Sequence, residues 1–362
     1  MAVTAQNGVF SFGPQSAKGT GPTTWYKHRA SDIDLAAISD DRLGPPEIGG
    51  SPLPTIPYRA GIMAAGGALI NPRLENTLGW LLYGAFGAVT TTANSNVFGT
   101  QTTGMYNHEF IIAASDPADA KYMGFRKHIP GTNATNSLGE TYTDGKIVAL
   151  TVALPNDGIV SARVDTLCRV PAFDDNPSFS YGNTQFEEWN SIPISCVIDG
   201  FMKVPTFSTT EELPIVGATW VHTNAPLDIR QEKVYGDPYL EDITVIARAT
   251  TVDLLLKWKD PRLYLSILTG TTTGTQWSST PWTGTLDIVT LATKNVPASN
   301  PATPWQLRLR AAEMMYQVVG GIRLAGNQSV MMRITGTAII PSSGNYLTVN
   351  LANATTQYIW PT

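Results

Sequence analysis

The chain has 362 residues, room for two domains with their own cores, since domains commonly run about 100–200 residues. Only 15% of its side chains are charged, against roughly 25% in an ordinary soluble domain, while glycine (32) and proline (25) are plentiful, which suits a surface partly covered in the working state. The net charge of −5, from 24 basic and 29 acidic side chains with no basic run, argues against a surface that clamps phosphates.

From the N-terminus, residues 1–24 are rich in Gly, Ser, Thr and Gln and read as a flexible arm, without the basic start and apolar core of a signal peptide. Residues 25–57 carry several turn signals, among them Gly44-Pro45-Pro46, and read as an extended, irregular segment lying on something else. The best membrane-span candidate, around residues 62–89, is broken by Arg73 and Glu75, so a soluble, unsecreted chain with no membrane partner is expected. Two short helices are predicted, over 72–84 and 260–268, each with Pro just inside its start and Gly near its end.

Strand signals dominate the rest. Residues 147–154 are β-rich, and over 160–168 the side chains Val160, Ala162, Val164 and Thr166 share one face while Ser161, Arg163 and Asp165 share the other. Val330, Met332, Ile334, Gly336 and Ala338 repeat that arrangement opposite Ser329, Met331, Arg333 and Thr335. Further strands are predicted over 110–114, 194–204, 215–222, 243–250, 286–292 and 305–312. Residues 173–189 are polar and form the natural join between two halves.

The halves carry the same sequence pattern. Gly50-Ser51-Pro52 opens a stretch running through Pro72-Arg73-Leu74 to Leu81-Leu82-Tyr83-Gly84, and Gly236-Asp237-Pro238 opens another, running through Asp260-Pro261-Arg262-Leu263 to Ile267-Leu268-Thr269-Gly270. The offset is 186 residues, from Gly50 to Gly236 and from Gly84 to Gly270. Downstream it falls to 170, from Val160 to Val330, so the second copy has a shorter middle. A period this long is not a solenoid unit. The expected fold is mostly β, two tandem β-sandwich or half-barrel domains of the same fold, each flanked by one short α-helix. The boundaries are 1–57 for the arm and extended segment, 58–172 for the first domain, 173–190 for the linker, 191–345 for the second domain and 346–362 for a C-terminal tail.

Catalytic spacing is absent. His108-Glu109 begins like a zinc helix but has Ile112 where the second His is needed, and His28, His108, His128 and His222 are scattered. There is no GxSxG elbow, P-loop lysine or GxGxxG motif. The doublets Asp40-Asp41, Asp174-Asp175 and Glu187-Glu188 read as solvated turns, because strand neighbours point to opposite faces. Cys168 and Cys196 sit in apolar strand-like sequence and read as buried free thiols. No enzyme, cofactor or metal is expected. Two Thr/Gly-rich tracts, 90–105 and 271–284, follow the two helices and contain the apolar residues Val97, Phe98, Trp277 and Trp282. Their recurrence after the same helix marks them as docking arms that order on a partner.

Trp25, Pro46-Glu47-Ile48-Gly49-Gly50, Pro54-Thr55 with Arg59-Ala60-Gly61, and an alternating strand leading into Leu78-Gly79-Trp80-Leu81-Leu82 and a Thr/Gly-rich loop resemble the tail tube protein of long-tailed bacteriophages. The likeness continues over 142–168 and through the second half, to about Ala338. The resemblance implies a structural virion protein, made in the host cytoplasm, whose helix-flanked β-sandwich domains join edge to edge into rings with a continuous β-barrel lining. Rings stack into a hollow tube that conducts DNA without sequence-specific binding. Single-domain members form hexameric rings, so a duplicated chain implies a trimer of six domains. The other implied partners are the tape measure protein, the tail terminator, and baseplate or tail-tip proteins.

On this reading the ring-stacking residues are Asn96, Val97, Phe98, Thr100, Thr102, Trp277 and Trp282. The lumen-facing candidates are Ser161, Arg163, Asp165, Ser329, Arg333 and Thr335, with the outside of the tube as the competing placement. If they line a lumen, acidic neighbours such as Asp165 should match Arg163 and Arg333 and keep the channel neutral to negative. The alternative is a two-domain β-sandwich module that binds sugar or a cell surface through its aromatic loops, with an enzyme as the weakest option.

Overall fold

The computed structural model describes the chain except residues 1–4, 46–47, 49, 51–52, 54–55, 114–118, 133–135, 184, 195–200, 204–214, 260, 323 and 325–328. Cys196, Asp260, the turn at 325–327 and most of the strand predicted over 194–204 lie outside the described residues.

The first half contributes β1 (Val9–Pro14), β2 (Tyr26–His28), β3 (Ala30–Ile33), β4 (Ala36–Leu43), β5 (Pro57–Ile70), helix α1 (Thr77–Phe86), β6 (Val89–Ser95), β7 (Gln101–Ala113), β8 (Met123–Ile129), β9 (Leu138–Pro155) and β10 (Ser161–Asp175). The second contributes β11 (Phe201–Lys203), β12 (Ile215–Pro226), β13 (Val245–Lys257), helix α2 (Arg262–Thr269), β14 (Thr283–Asn295), β15 (Pro304–Val318), β16 (Met331–Ala338) and β17 (Asn345–Asn353). The protein is mostly β, and its antiparallel sheet is not closed.

The sheet runs β4–β5–β10–β9–β12–β13–β16–β15, every pair antiparallel. In it Ala68 lies opposite Val164, and Leu254 opposite Ile334. β8 pairs with the first part of β9, and β12 with its last part, from Ala149 to Pro155. The change of partner coincides with a register shift between Asp165 and Thr166 of β10, where an extra residue bends the ladder. Across from that bend, β5 carries Gly66 at φ 124, a left-handed conformation natural only to glycine, and a Cβ on Gly67 would run into the Val164 carbonyl.

Both helices end at a left-handed glycine, Gly87 (φ 87) and Gly270 (φ 78), whose N–H closes on Tyr83 and Ser266. α1 starts later than Pro72. Asn76 makes no side-chain cap; instead Glu187, from the polar join, accepts from the Thr77 N–H and Oγ1–H, both at 2.7 Å. The join is therefore tied to the first half, also through Asn183 and the Lys27 backbone at 2.8 and 2.9 Å.

Two terminal segments differ from the sequence expectation. The arm over 1–24 contains β1, which pairs with β2 and β8 and buries Phe10 and Phe12 in the core. Residues 346–362, expected as a tail, supply β17 between β15 and β7, followed by Tyr358, buried edge-on against Trp80 at 5.2 Å. β17 alternates apolar and polar residues like a half-exposed strand, yet Thr348 and Asn350 are buried too, because both its faces are covered.

The buried cluster is continuous through both halves. Trp220 of β12 stacks over Phe86 of α1, and Asn224 of β12 donates to the carbonyls of Ala85 (3.0 Å) and Ile147 (2.9 Å), satisfying an orphan carbonyl at the end of α1. Each fully buried large apolar side chain here contributes about 1.5–3 kcal/mol.

Candidate assembly surface

The side chains on the face of the long sheet turned away from the core bring most of the sequence-predicted lumen residues together. Ser161, Arg163 and Asp165 lie on that face of β10, and Arg333 and Thr335 on that face of β16, because Ala162, Val164, Met332 and Ile334 between them point into the core. Ser329 is exposed just ahead of β16. Both arginines are paired. Arg163 donates to Asp165 at 2.7 Å and to Asp34 at 2.6 Å, and Arg333 donates through Nε to both carboxylate oxygens of Asp253, at 2.8 and 2.9 Å. The Arg163 hydrogen bond holds the Asp34 carboxyl below the usual carboxylate range, helped by the Gly67 N–H.

Asp34 and Asp253 were missed as members of this cluster. Asp253 was visible in principle, since it alternates with the buried Val252 and Leu254 of β13. Asp34 was not, because it sits between two short strands and reaches Arg163 only through the pairing of β3 with β5 and of β5 with β10. A shallow depression of about 510 Å³ crosses the joint of β9 and β12, lined in part by Ala153, Ser161, Thr219, Asp253 and Arg333.

The two aromatic tracts have different fates. The first is a β-hairpin of β6 and β7, not an open loop, and its tip is seated on the second half of the same chain. Asn96, Val97 and Thr102 are buried, Phe98 is 43% exposed, and Thr100 is exposed. The Val97 N–H donates to Gln306 at 3.2 Å, the Val97 carbonyl accepts from Arg308 at 2.8 Å, the Arg308 guanidinium lies 5.3 Å from the Phe98 ring, and Thr103 pairs with Asn300. The second tract is irregular from Thr271 to Trp282; Trp277 is 79% exposed, and Trp282 leans on Tyr316 at 5.5 Å.

Three of the four histidines are built into the core, while His128 is half-buried on β8. His28 bonds Thr77, His108 bonds Thr91 and Asn353, and His222 bonds Thr250 and Asn224. Burial lowers their pKa values to about 3, about 4 and about 3. Burial pushes the Cys168 thiol up to about 12, leaving it unreactive at neutral pH. Among the described residues, no group of three or more His, Cys, Asp or Glu could hold a metal. A cleft of about 590 Å³ between β13, the end of β16 and Tyr346 is mainly apolar, with Asp119 and Arg248 at its wall. Neither this cleft nor the depression is lined by Phe98, Trp277 or Trp282. No protein-family model matches the sequence, and a search of curated proteins returns no match.

Proposed function

We propose that the protein is a self-assembling structural subunit of a phage tail tube, a duplicated chain that contributes two equivalent units to a ring. The observation that carries this reading is the order of the long sheet. Its first four strands, β4–β5–β10–β9, and its last four, β12–β13–β16–β15, are connected alike, with a helix after the second strand of each run. The offsets that relate the two sequences also relate their paired residues. Moving 186 residues from Ala68 reaches Leu254, moving 170 from Val164 reaches Ile334, and both are opposed pairs. Two like-connected four-strand runs sharing one core, joined through β9 and β12, support a tandem duplication of one fold.

The polar face supports the same role. Charges held in Arg–Asp pairs offer passing DNA no free cation among Arg163 and Arg333, and Asp34, Asp165 and Asp253 outnumber them, so this wall would not trap phosphate. We assign this face to the lumen, with the tape measure protein and then DNA as its transient occupants. The sugar-binding alternative needs an aromatic-lined pocket, and the tract aromatics line neither described cleft above.

The stacking role now falls on residues 271–282 alone, because the first hairpin is anchored in its own chain and shortening it would strip Val97 and Met105 from the core. Negative-stain microscopy of the purified chain should show rings or tubes. Replacing 271–281 by a tight turn, with Trp282 kept against Tyr316, should leave a folded chain, since loop closure changes slowly with length, yet abolish long tubes while rings persist. A wild-type chain that stays monomeric at every concentration would sink the reading. Tubes of normal length from the shortened variant would remove only the stacking assignment.

A further inference from the structure

The long sheet ends in two unlike edges. At one end β4 pairs as a strand only with β5 among the described residues, apart from Lys233 reaching its Asp40 side chain, and Ala36, Ala37, Ile38 and Ser39 are exposed. At the other end the last bond between β15 and the β14 side is the Tyr316 N–H to the Trp282 carbonyl, at 3.2 Å. Beyond it, among the described residues, Gln317, Val318 and Val319 are paired on the β16 side only. Unpaired strand edges are templates for another strand.

The molecule already contains one such junction. β12, the leading strand of the second run, pairs with the end of β9, the closing strand of the first, so that Thr223 faces Ala149, Val221 faces Thr151 and Ala218 faces Leu154. Strand partners transfer this register to the free edges. Ala218 and Ile33 oppose the equivalent residues Leu254 and Ala68, so the β3–β4 edge stands where β12 stands. Val318 and Leu150 oppose the equivalent residues Ile334 and Val164, so the end of β15 stands where the end of β9 stands.

We infer that the β3–β4 edge of one copy adds to the end of β15 of a second copy, in the register of the internal β9–β12 joint, with Ile38 opposite Gln317, Ala36 opposite Val319 and Ile33 opposite Ile322. This rests on the ring reading above and supplies its joint. The contact is head to tail. Its two surfaces differ, so it leaves a free edge at each end of a dimer and is satisfied only by a closed ring, or by an open filament if the rotation does not close. The pairing also places the exposed apolar side chains Ile38 and Val319, each 42% exposed, within the new sheet.

The test is disulfide capture in trans, in a background with Cys196→Ser and the buried Cys168 kept. Ile38→Cys chains are mixed with Gln317→Cys chains and mildly oxidised, and the same is done with Ala36→Cys and Val319→Cys. Directly opposed residues on antiparallel strands lie within disulfide reach, whereas a shift of two residues moves them about 7 Å apart along the strand, so the matched pairs should give about tenfold more linked dimer than Ile38→Cys mixed with Val319→Cys. Each sample is also imaged. Matched linkage overturning the mismatched control supports the register. Rings that form with matched and mismatched pairs linking equally, or not at all, overturn the register and leave the ring reading standing. A chain that stays monomeric and unlinked overturns both. Both substituted sites in the first pair are solvent-exposed, and circular dichroism should show an unchanged fold.

Discussion

Lowering the pH from 7 to about 4 should unfold the isolated chain, and three buried histidines are the main reason. His28, His108 and His222 are neutral in the fold, with pKa values lowered by burial to about 3, 4 and 3, and His222 is further disfavoured as a cation by Arg248. The unfolded chain takes up these protons from pH 6.5 downward, and the folded chain does not. Stability therefore falls with falling pH, by about 1.4 kcal/mol per pH unit for each histidine. Glu187 has the opposite sign. Burial raises its folded pKa to about 7, above the unfolded value of 4.5, so it holds a proton that the unfolded chain releases between pH 7 and 4.5. It thereby returns about 1.4 kcal/mol per unit over that window, leaving a net loss of roughly 3 kcal/mol per unit between pH 6 and 4.5. Against a typical total of about 5–15 kcal/mol, unfolding near pH 4 follows. Denaturant melts across this range should show the slope, and His108→Gln should flatten it by about 1.4 kcal/mol per unit. Stability that is level from pH 7 to 4.5, or histidines titrating near 6.5 by NMR, would contradict the account.

Trp220→Ala should cost about 3–5 kcal/mol, the usual loss for removing a large buried aromatic side chain. Trp220 is fully buried, lies nearly parallel to Phe86 at 6.5 Å and flanks His222 at 6.2 Å. It belongs to a strand of the second half and its main partner to the helix of the first, so the cavity opens between the halves. Both halves should then lose stability together, in one shifted transition rather than two. Trp277→Ala, on the exposed tract, should stay within about 0.5 kcal/mol of the parent in the unassembled chain. If Trp220→Ala fails to express, Trp220→Phe gives a milder variant for the same melt. A loss below 1 kcal/mol, or a split transition in which only one part moves, would refute the shared-core argument.

Period-two patterning was enough to place β10 and β16, since alternation between core and solvent is written residue by residue along a strand, and strand-rich composition marked parts of β9, β13 and β15. It also sorted Arg163 and Arg333 away from Val164 and Ile334. The two helices and the glycine that ends α2 were legible for the same local reason, and the start of α1 was misplaced because its cap, Glu187, is 110 residues away. Equally local was the paired offset of 186 and 170 residues.

Partners across the sheet leave no such local trace. β1 shows only Phe10 and Phe12 alternating amid arm-like residues, and β17 hides polar Thr348 and Asn350 between covered faces, so both passed for peripheral chain. The hairpin of β6 and β7 looked like a free loop because the residues that seat it, Asn300, Gln306 and Arg308, lie some two hundred residues further on. The neutral state of His28, His108 and His222 is likewise a product of assembled packing, as burial exists only once the strands around them have met. By itself the sequence determined several of the strands, the apolar faces of β10 and β16, and that a long pattern occurs twice. Only the tertiary structure decided which strand neighbours which, because backbone hydrogen bonds between distant strands are made by groups that every residue carries alike.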